Sequence, residues 1–239
     1  MMSPMDARAF LKDITGERKY RDQIVHVRAV EARDAAYADP ATEIPEAMRS
    51  LLRKQNIHQL YTHQAAAVDA ISEGRDVVIV TSTASGKTLC YNLPVARALL
   101  QNAGARAMYI FPTKALTQDQ HGTLQSWAAD EALADVLRPA VYDGDTPSHN
   151  RSRIRTAASV VLTNPDMVHV GILPYHGQWH AFLRDLKYIV VDEVHMYRGI
   201  FGSHVAGVLR RLLRMCDHYG PRPQVIFCSA TIATSGMLV

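Results

Sequence analysis

The chain has 239 residues with 26 Lys plus Arg against 23 Asp plus Glu, a formal net charge of +3. That length suits one large domain with a sizeable core, and so small a surplus argues for no nucleic-acid partner by itself, so any basic surface must be local. Hydrophobic content of 48% and charged content of 21% exclude a disordered, collagenous or coiled-coil chain, and apolar runs such as Val77-Val78-Ile79-Val80 are far too short to cross a bilayer.

The start of the chain, Met1 to Gly16, carries Asp6, Lys12 and Asp13 and lacks the apolar core of a signal peptide, so a cytoplasmic location is expected. Residues 1–44 mix charge with Ala and scattered Pro and show no sustained period, which reads as an irregular arm with one short helix. From residue 45 to 239 one domain is expected. Strands are expected at 77–80, 107–111, 139–142, 160–162, 188–191 and 225–228, each apolar on consecutive residues and therefore buried on both faces. Helices are expected at 62–72, 87–101, 114–129, 148–156, 176–184 and 201–218. The βαβα rhythm predicts an α/β fold, a doubly wound parallel sheet with helices on both faces. In the last helix Val205, Val208, Leu209, Leu212 and Cys216 form one apolar stripe, and Arg210, Arg211 and Arg214 share a solvated face. Three cysteines, Cys90, Cys216 and Cys228, without Cys-x-x-Cys spacing, suggest buried thiols.

The strand at 77–80 runs into Thr81-Ser82-Thr83-Ala84-Ser85-Gly86-Lys87-Thr88 and then a helix, the context that a P-loop requires. Small residues let backbone N–H groups close around phosphate oxygens, and the helix N-terminus adds its positive dipole end. Lys87 supplies a point charge for the β- and γ-phosphates of ATP, and the Thr88 hydroxyl can ligate Mg2+. Thr81 stands where the usual pattern has its first Gly. The strand at 188–191 ends in Asp192 and Glu193, at the end where doubly wound sheets bind ligands. Asp192 is expected to hold Mg2+, and Glu193 to orient and deprotonate the attacking water.

Read with the P-loop, Asp192-Glu193-Val194-His195 resembles the DEVH-box variety of superfamily 2 helicases, which implies a RecA-like motor domain. Leu60-Tyr61-Thr62-His63-Gln64 is similar to the family's Q motif, in which Gln64 would contact adenine; the alternative is a helix N-terminus capped by Thr62. Phe111-Pro112-Thr113-Lys114 is similar to motif Ia, Asp143-Gly144-Asp145-Thr146 lies in the motif Ib region, and Thr163-Asn164-Pro165-Asp166 in the motif Ic region. Such turns present backbone N–H groups, hydroxyls and Lys114 to a single strand's phosphates, or are ordinary turn chemistry. Ser229-Ala230-Thr231 resembles motif III, and the resemblance gives His195, Arg198, Ser229 and Thr231 a part in coupling nucleotide to nucleic acid. For Arg198 a structural salt bridge is the alternative.

The runs 83–94 and 192–205 resemble the mitomycin repair factor A group of DNA helicases, relatives of the fungal Hrq helicases. The resemblance implies an ATP-driven 3′-to-5′ translocase on single-stranded nucleic acid, DNA in preference, serving DNA repair. It also implies a second RecA-like lobe, in cis or in trans, with an arginine finger; the residues after Thr231 depart from the Ala-Asn-Pro-like continuation. The isolated chain is therefore expected to bind nucleotide without fast turnover, a finger being worth about 10³ to 10⁵ in rate. An RNA helicase lobe and a non-hydrolysing nucleotide and nucleic-acid binding module remain alternatives. His176 and His180 have helical metal-pair spacing, but Gly177 stands where a zinc protease carries Glu. Arg151, Arg153 and Arg155 either track phosphates or form a solvated helix face.

Overall fold

Successive strand residues point to opposite faces of a sheet, so runs apolar at every position need cover on both sides. The computed structural model describes residues 6–27, 34–82 and 85–230. They fall into two compact units divided between Ala35 and Ala36. The first holds α1 (Ala7–Gly16), whose N-terminus is capped by Asp6 accepting from Arg8 N–H at 2.9 Å.

The second unit begins with α2 (Glu46–Lys54) and α3 (Thr62–Ser72). There follow β1 (Val77–Val80), α4 (Lys87–Gln101), β2 (Arg106–Ile110), α5 (Lys114–Ala128), β3 (Pro139–Val141), α6 (Ser148–Ala157) and β4 (Val160–Thr163). The short α7 (Pro165–Met167) leads through a π-helical turn, Val168–Ile172, and 3₁₀ turns, Leu173–Trp179, into α8 (His180–Arg184). β5 (Leu186–Val191), α9 (Gly199–Tyr219) and β6 (Gln224–Ser229) complete it.

The strands lie in the order β1-β6-β5-β2-β4-β3, and every neighbouring pair is parallel. Val80 lies beside Ser229, Val191 beside both Phe227 and Ile110, and Ile110 beside Thr163. The strands therefore end along one edge. One face carries Ile79, Tyr109, Leu162, Val190 and Cys228 beneath α2, α3, α4 and α5. The other carries Met108, Ile110, Val161, Ile189 and Val191 beneath α8 and α9, with Val208, Leu212 and Cys216 buried there as the stripe requires.

Four local expectations are corrected. Among the described residues β1 is not covered on both faces: Val78 and Val80 are 46% and 47% exposed, because there β1 pairs only with β6 at the sheet's rim and α9 covers the strands farther in. Residues 36–44 pack with the second unit, through the Tyr37–Tyr61 bridge and buried Ile44, so the division falls before residue 44. α2, expected nowhere, buries Met48, Leu51 and Leu52. Residues 176–179 continue a 3₁₀ run, and α-helix begins only at His180. His176 meets Tyr219 Oη at 2.6 Å and His180 meets the Gly177 carbonyl at 2.9 Å.

Candidate active site

The two strands that lead into the expected site residues, β1 and β5, are separated only by β6, about 10 Å at ordinary strand spacing. This places the Lys87 loop and the Asp192-Glu193 pair on the same edge. Thr83 and Ala84 lie outside the described residues, as does Thr231. The rest of the loop is tied together from within: Lys87 Nζ donates to the carbonyls of Thr81 at 3.1 Å and Ser82 at 2.8 Å, and the Thr81 and Ser85 hydroxyls meet at 2.5 Å. The lysine thus stands over the loop whose N–H groups are suited to phosphate. Gly86 has φ +76°, and a Cβ there would lie 2.5 Å from Gln64 Nε2, so glycine is required on both counts.

Gln64 is buried and joins two elements. Its Oε1 accepts from Tyr61 N–H at 2.9 Å, and its Nε2 donates to the Gly86 carbonyl at 3.1 Å. The residue at the α3 N-cap is therefore Tyr61, with Thr62 the first helical residue, which corrects the expected Thr62 cap. His63 Nε2 lies 3.0 Å from the Ser85 carbonyl, a second tie between α3 and the loop. Tyr37, Tyr61 and His63 stack in series, their centroids 5.2 and 5.7 Å apart. Tyr37 and Tyr61 line a cavity of 540 Å³ that also reaches Gln64, Thr88 and Leu89, a size and lining suited to a base.

Asp192 continues β5, its N–H donating to the Ile110 carbonyl at 3.0 Å. Its Oδ1 accepts from Glu193 N–H at 2.8 Å and its Oδ2 from Tyr91 Oη at 3.0 Å. Burial raises the Asp192 carboxyl above its ordinary value, against these two hydrogen bonds, while the Glu193 charge pushes the same way as burial. Burial also lifts the Tyr91 hydroxyl well above the usual phenol range, so it stays a donor. Glu193 occupies the left-handed region at φ +51°, a conformation that costs a residue with a Cβ about 1–3 kcal/mol and is concentrated at functional sites. Its Oε2 is buried without a hydrogen-bond partner among the described residues. His195 Nδ1 lies 3.1 Å away, but not in hydrogen-bonding orientation, and is 3.4 Å from Ser229 Oγ. The structure thus brings Glu193, His195 and Ser229 together. Arg198 stands exposed at the α9 N-cap with no ion pair among the described residues, so the salt bridge considered for it is not made.

The other half of the edge is formed by β2, β4 and β3. Pro112 is half-buried; Thr113 is exposed and caps α5, accepting from Leu116 N–H at 3.3 Å. Lys114 forms an exposed ion pair with Asp145, which links the motif Ia and Ib turns. Gly144 is exposed with open space around it. Asp143 and Thr146 shape that turn, Thr146 N–H donating to the Asp143 carbonyl at 3.2 Å. In the third turn the expected presentation is corrected in part. Thr163 is fully buried and donates to the Tyr142 carbonyl at 2.7 Å, Pro165 is buried, and Asn164 caps α7 by accepting from Met167 N–H at 2.8 Å. These side chains build the turn. Sequence reasoning missed the Tyr91–Asp192 bond, which spans 101 residues and leaves no local signal.

A parallel sheet whose first strand feeds a phosphate loop, with adjacent carboxylates two strands away, defines a RecA-like P-loop nucleotide-binding domain. The family model of the DEAD/DEAH box helicase matches residues 61–237. The chain belongs to that family. It is 46% identical over 223 residues, 93% of its length, to the uncharacterized ATP-dependent helicase YprA of Bacillus subtilis, of which it covers 30%. It is 40% identical over 228 residues, again 93% of the chain, to ATP-dependent helicase hrq1 of Schizosaccharomyces pombe, of which it covers 21%. The crystal structure of the DUF1998 helicase MrfA bound to DNA and AMPPNP superposes with a TM-score of 0.86 at 43% identity, over 98% of this chain and 32% of that one. The chain thus spans a third or less of these relatives. Among the described residues no helix is long and apolar enough to cross a membrane.

Proposed function

We propose that the chain is the first motor lobe of an ATP-dependent helicase that moves on single-stranded nucleic acid, DNA in preference, in a repair setting and in the cytoplasm. One observation carries the reading: a P-loop lysine and a glutamate in the left-handed region, whose buried Oε2 accepts no hydrogen bond among the described residues, stand on the same edge of one parallel sheet. The DNA-bound state of the similar MrfA structure supports nucleic acid as partner. The buried, unpaired cysteines, with burial pushing Cys90 and Cys216 up to about 12, suit a reducing compartment.

The donor set fits a nucleotide with Mg2+. Lys87 exchanges the Thr81 and Ser82 carbonyls for phosphate oxygens, and the α4 N-terminus adds its dipole. Thr88 and Asp192 would hold Mg2+, which when bound neutralises charge on the β- and γ-phosphate oxygens. Glu193, its Oε2 free of other hydrogen bonds, accepts the proton of the attacking water. The rings of Tyr37 and Tyr61 receive the base, and Gln64 couples its occupancy to Gly86. His195 and Ser229 connect that glutamate to β6. The arginine finger comes from a second RecA-like lobe, in cis or in trans.

In a protein carrying both lobes, Glu193→Gln should leave nucleotide affinity within about twofold and lower turnover by about 10²–10⁴, the usual worth of a general base. Turnover equal to the parent's would refute the role given to Glu193.

A further inference from the structure

The nucleic-acid turns do not end the exposed chemistry on this edge. Beyond β3, the last strand of the sheet, a groove of 450 Å³ opens between α6 and the π-helical turn, lined by Tyr142, Gly144, Arg151, Arg155, Val170 and Tyr175 among others. Gly144 belongs to the motif Ib turn, so the groove continues the row of turns outward.

Three features of the groove point the same way. The first is charge: α6 carries Arg151, Arg153 and Arg155 with no acidic residue. Arg151 is anchored, its Nε donating to the Thr146 carbonyl at 3.1 Å and its guanidinium 5.5 Å from the Tyr142 ring centre. The Arg155 side chain makes no hydrogen bond or ion pair among the described residues. The second is an uncovered ring. Tyr175 is 55% exposed, at a non-helical break in the 3₁₀ run (φ −110°, ψ 25°), and Val170 of the preceding π-helical turn is 58% exposed. The third is a fixed floor: Tyr142 packs edge-on against buried Trp179 at 4.8 Å, and at Gly171 a Cβ would lie 2.1 Å from Met167 Cε. π-Helical turns are rare and frequent at functional sites. Cations that hold a backbone beside an uncovered aromatic face are what sequence-tolerant single-strand binding needs.

We propose that this groove is a further subsite for single-stranded DNA beyond the motif Ib turn, with Tyr175 as the platform for one base and Arg151 and Arg155 as contacts to the flanking phosphates. It rests on the reading of the chain as a nucleic-acid motor lobe and adds a position to its track. Because Tyr175 is exposed, its replacement leaves the core intact. A strand must pass Gly144 to reach the ring, so the subsite contributes only once the strand is long enough.

The test is fluorescence anisotropy of the 239-residue chain with labelled oligodeoxythymidylates of increasing length, beside binding of a fluorescent ATP analogue. Tyr175→Ala should weaken the longer strands about tenfold, within the range for loss of one stacked base, and leave the shortest binding strand and the ATP analogue unchanged. Tyr175→Trp should restore the loss. Arg155→Ala should lower the dependence of log affinity on log salt by about 0.7, one phosphate contact on a single strand. If the parent binds these strands and Tyr175→Ala matches it at every length, or loses affinity equally at all lengths, the subsite is overturned and the motor-lobe reading stands. If the parent binds no strand of any length, both are overturned together.

Discussion

Gly86→Ala bears most sharply on how α3 and the phosphate loop are joined. The substitution meets two separable obstacles. Alanine at φ +76° carries the left-handed penalty of about 1–2 kcal/mol. Its Cβ would also stand 2.5 Å from Gln64 Nε2, which must swing away and give up its hydrogen bond to the Gly86 carbonyl, about 1 kcal/mol more. Together these predict a loss of about 2–3 kcal/mol, or roughly 5–10 °C in melting temperature for a domain of this size. Nucleotide affinity should fall about tenfold or more, since the loop N–H groups lose their arrangement. In a Gln64→Ala background the steric part disappears and the backbone part remains, so Gly86→Ala should cost about 1 kcal/mol less there, a coupling within the range measured for contacting residues. Thermal melts of the four proteins, with titration of a fluorescent ATP analogue, supply the cycle. A Gly86→Ala protein melting within a degree of the parent would refute the backbone argument, and a cost unchanged by Gln64→Ala would refute the contact.

Other substitutions probe the carboxylate pair and the segment that leads into α3. Tyr91→Phe keeps the ring but leaves the buried Asp192 Oδ2 without its donor, so it should cost about 1–2 kcal/mol and raise the Mg2+ concentration needed for tight nucleotide binding; parent-like melting and Mg2+ dependence would remove Tyr91 from the site. Asp69 accepts from the N–H groups of Ala41 and Thr42 at 3.0 and 2.7 Å. Burial pushes its carboxyl up, but the Thr42 and Ala41 hydrogen bonds outweigh it and hold the group below its ordinary value. A lowered carboxylate contributes stability that is present at neutral pH and lost as pH falls through the folded-state value. Asp69→Asn should therefore melt below the parent at pH 7, with the difference closing below about pH 4, the ordinary range of the group. A difference that persists undiminished in acid would contradict the assignment.

The legible part of the fold is the part written in local pattern. α3, α4 and β1 have the bounds read from periodicity and from the Gly86-Lys87 punctuation, because each begins or ends at a residue with a strong local preference. α2 shows why short elements escape. Its apolar residues at 48, 51 and 52, Glu46 in the first turn and Arg53 and Lys54 in the last are all helix signals, but nine residues give too few periods to stand out ahead of the regular pattern. The exposed faces of Val78 and Val80 were illegible because hydrophobicity does not tell a rim strand from a central one. At the site, Lys87, Asp192 and Glu193 were readable from residue type and strand context. The Gln64–Gly86, Tyr91–Asp192 and Lys114–Asp145 pairings were not, since each joins turns or helices that only the sheet order brings together. The burial of Thr163 illustrates the same limit: a threonine after a strand reads alike whether its hydroxyl faces solvent or closes a neighbouring turn.

If the chain is a motor lobe, it cradles a nucleoside triphosphate on its own loop. The direct measurement is titration of the chain with a fluorescent ATP analogue and Mg2+, in parallel with Lys87→Ala. Binding should be saturable, displaced by unlabelled ATP and weakened at least tenfold by Lys87→Ala, the equivalent of about 1.4 kcal/mol. Binding indifferent to Lys87→Ala, or no saturable binding in a folded parent, would contradict it.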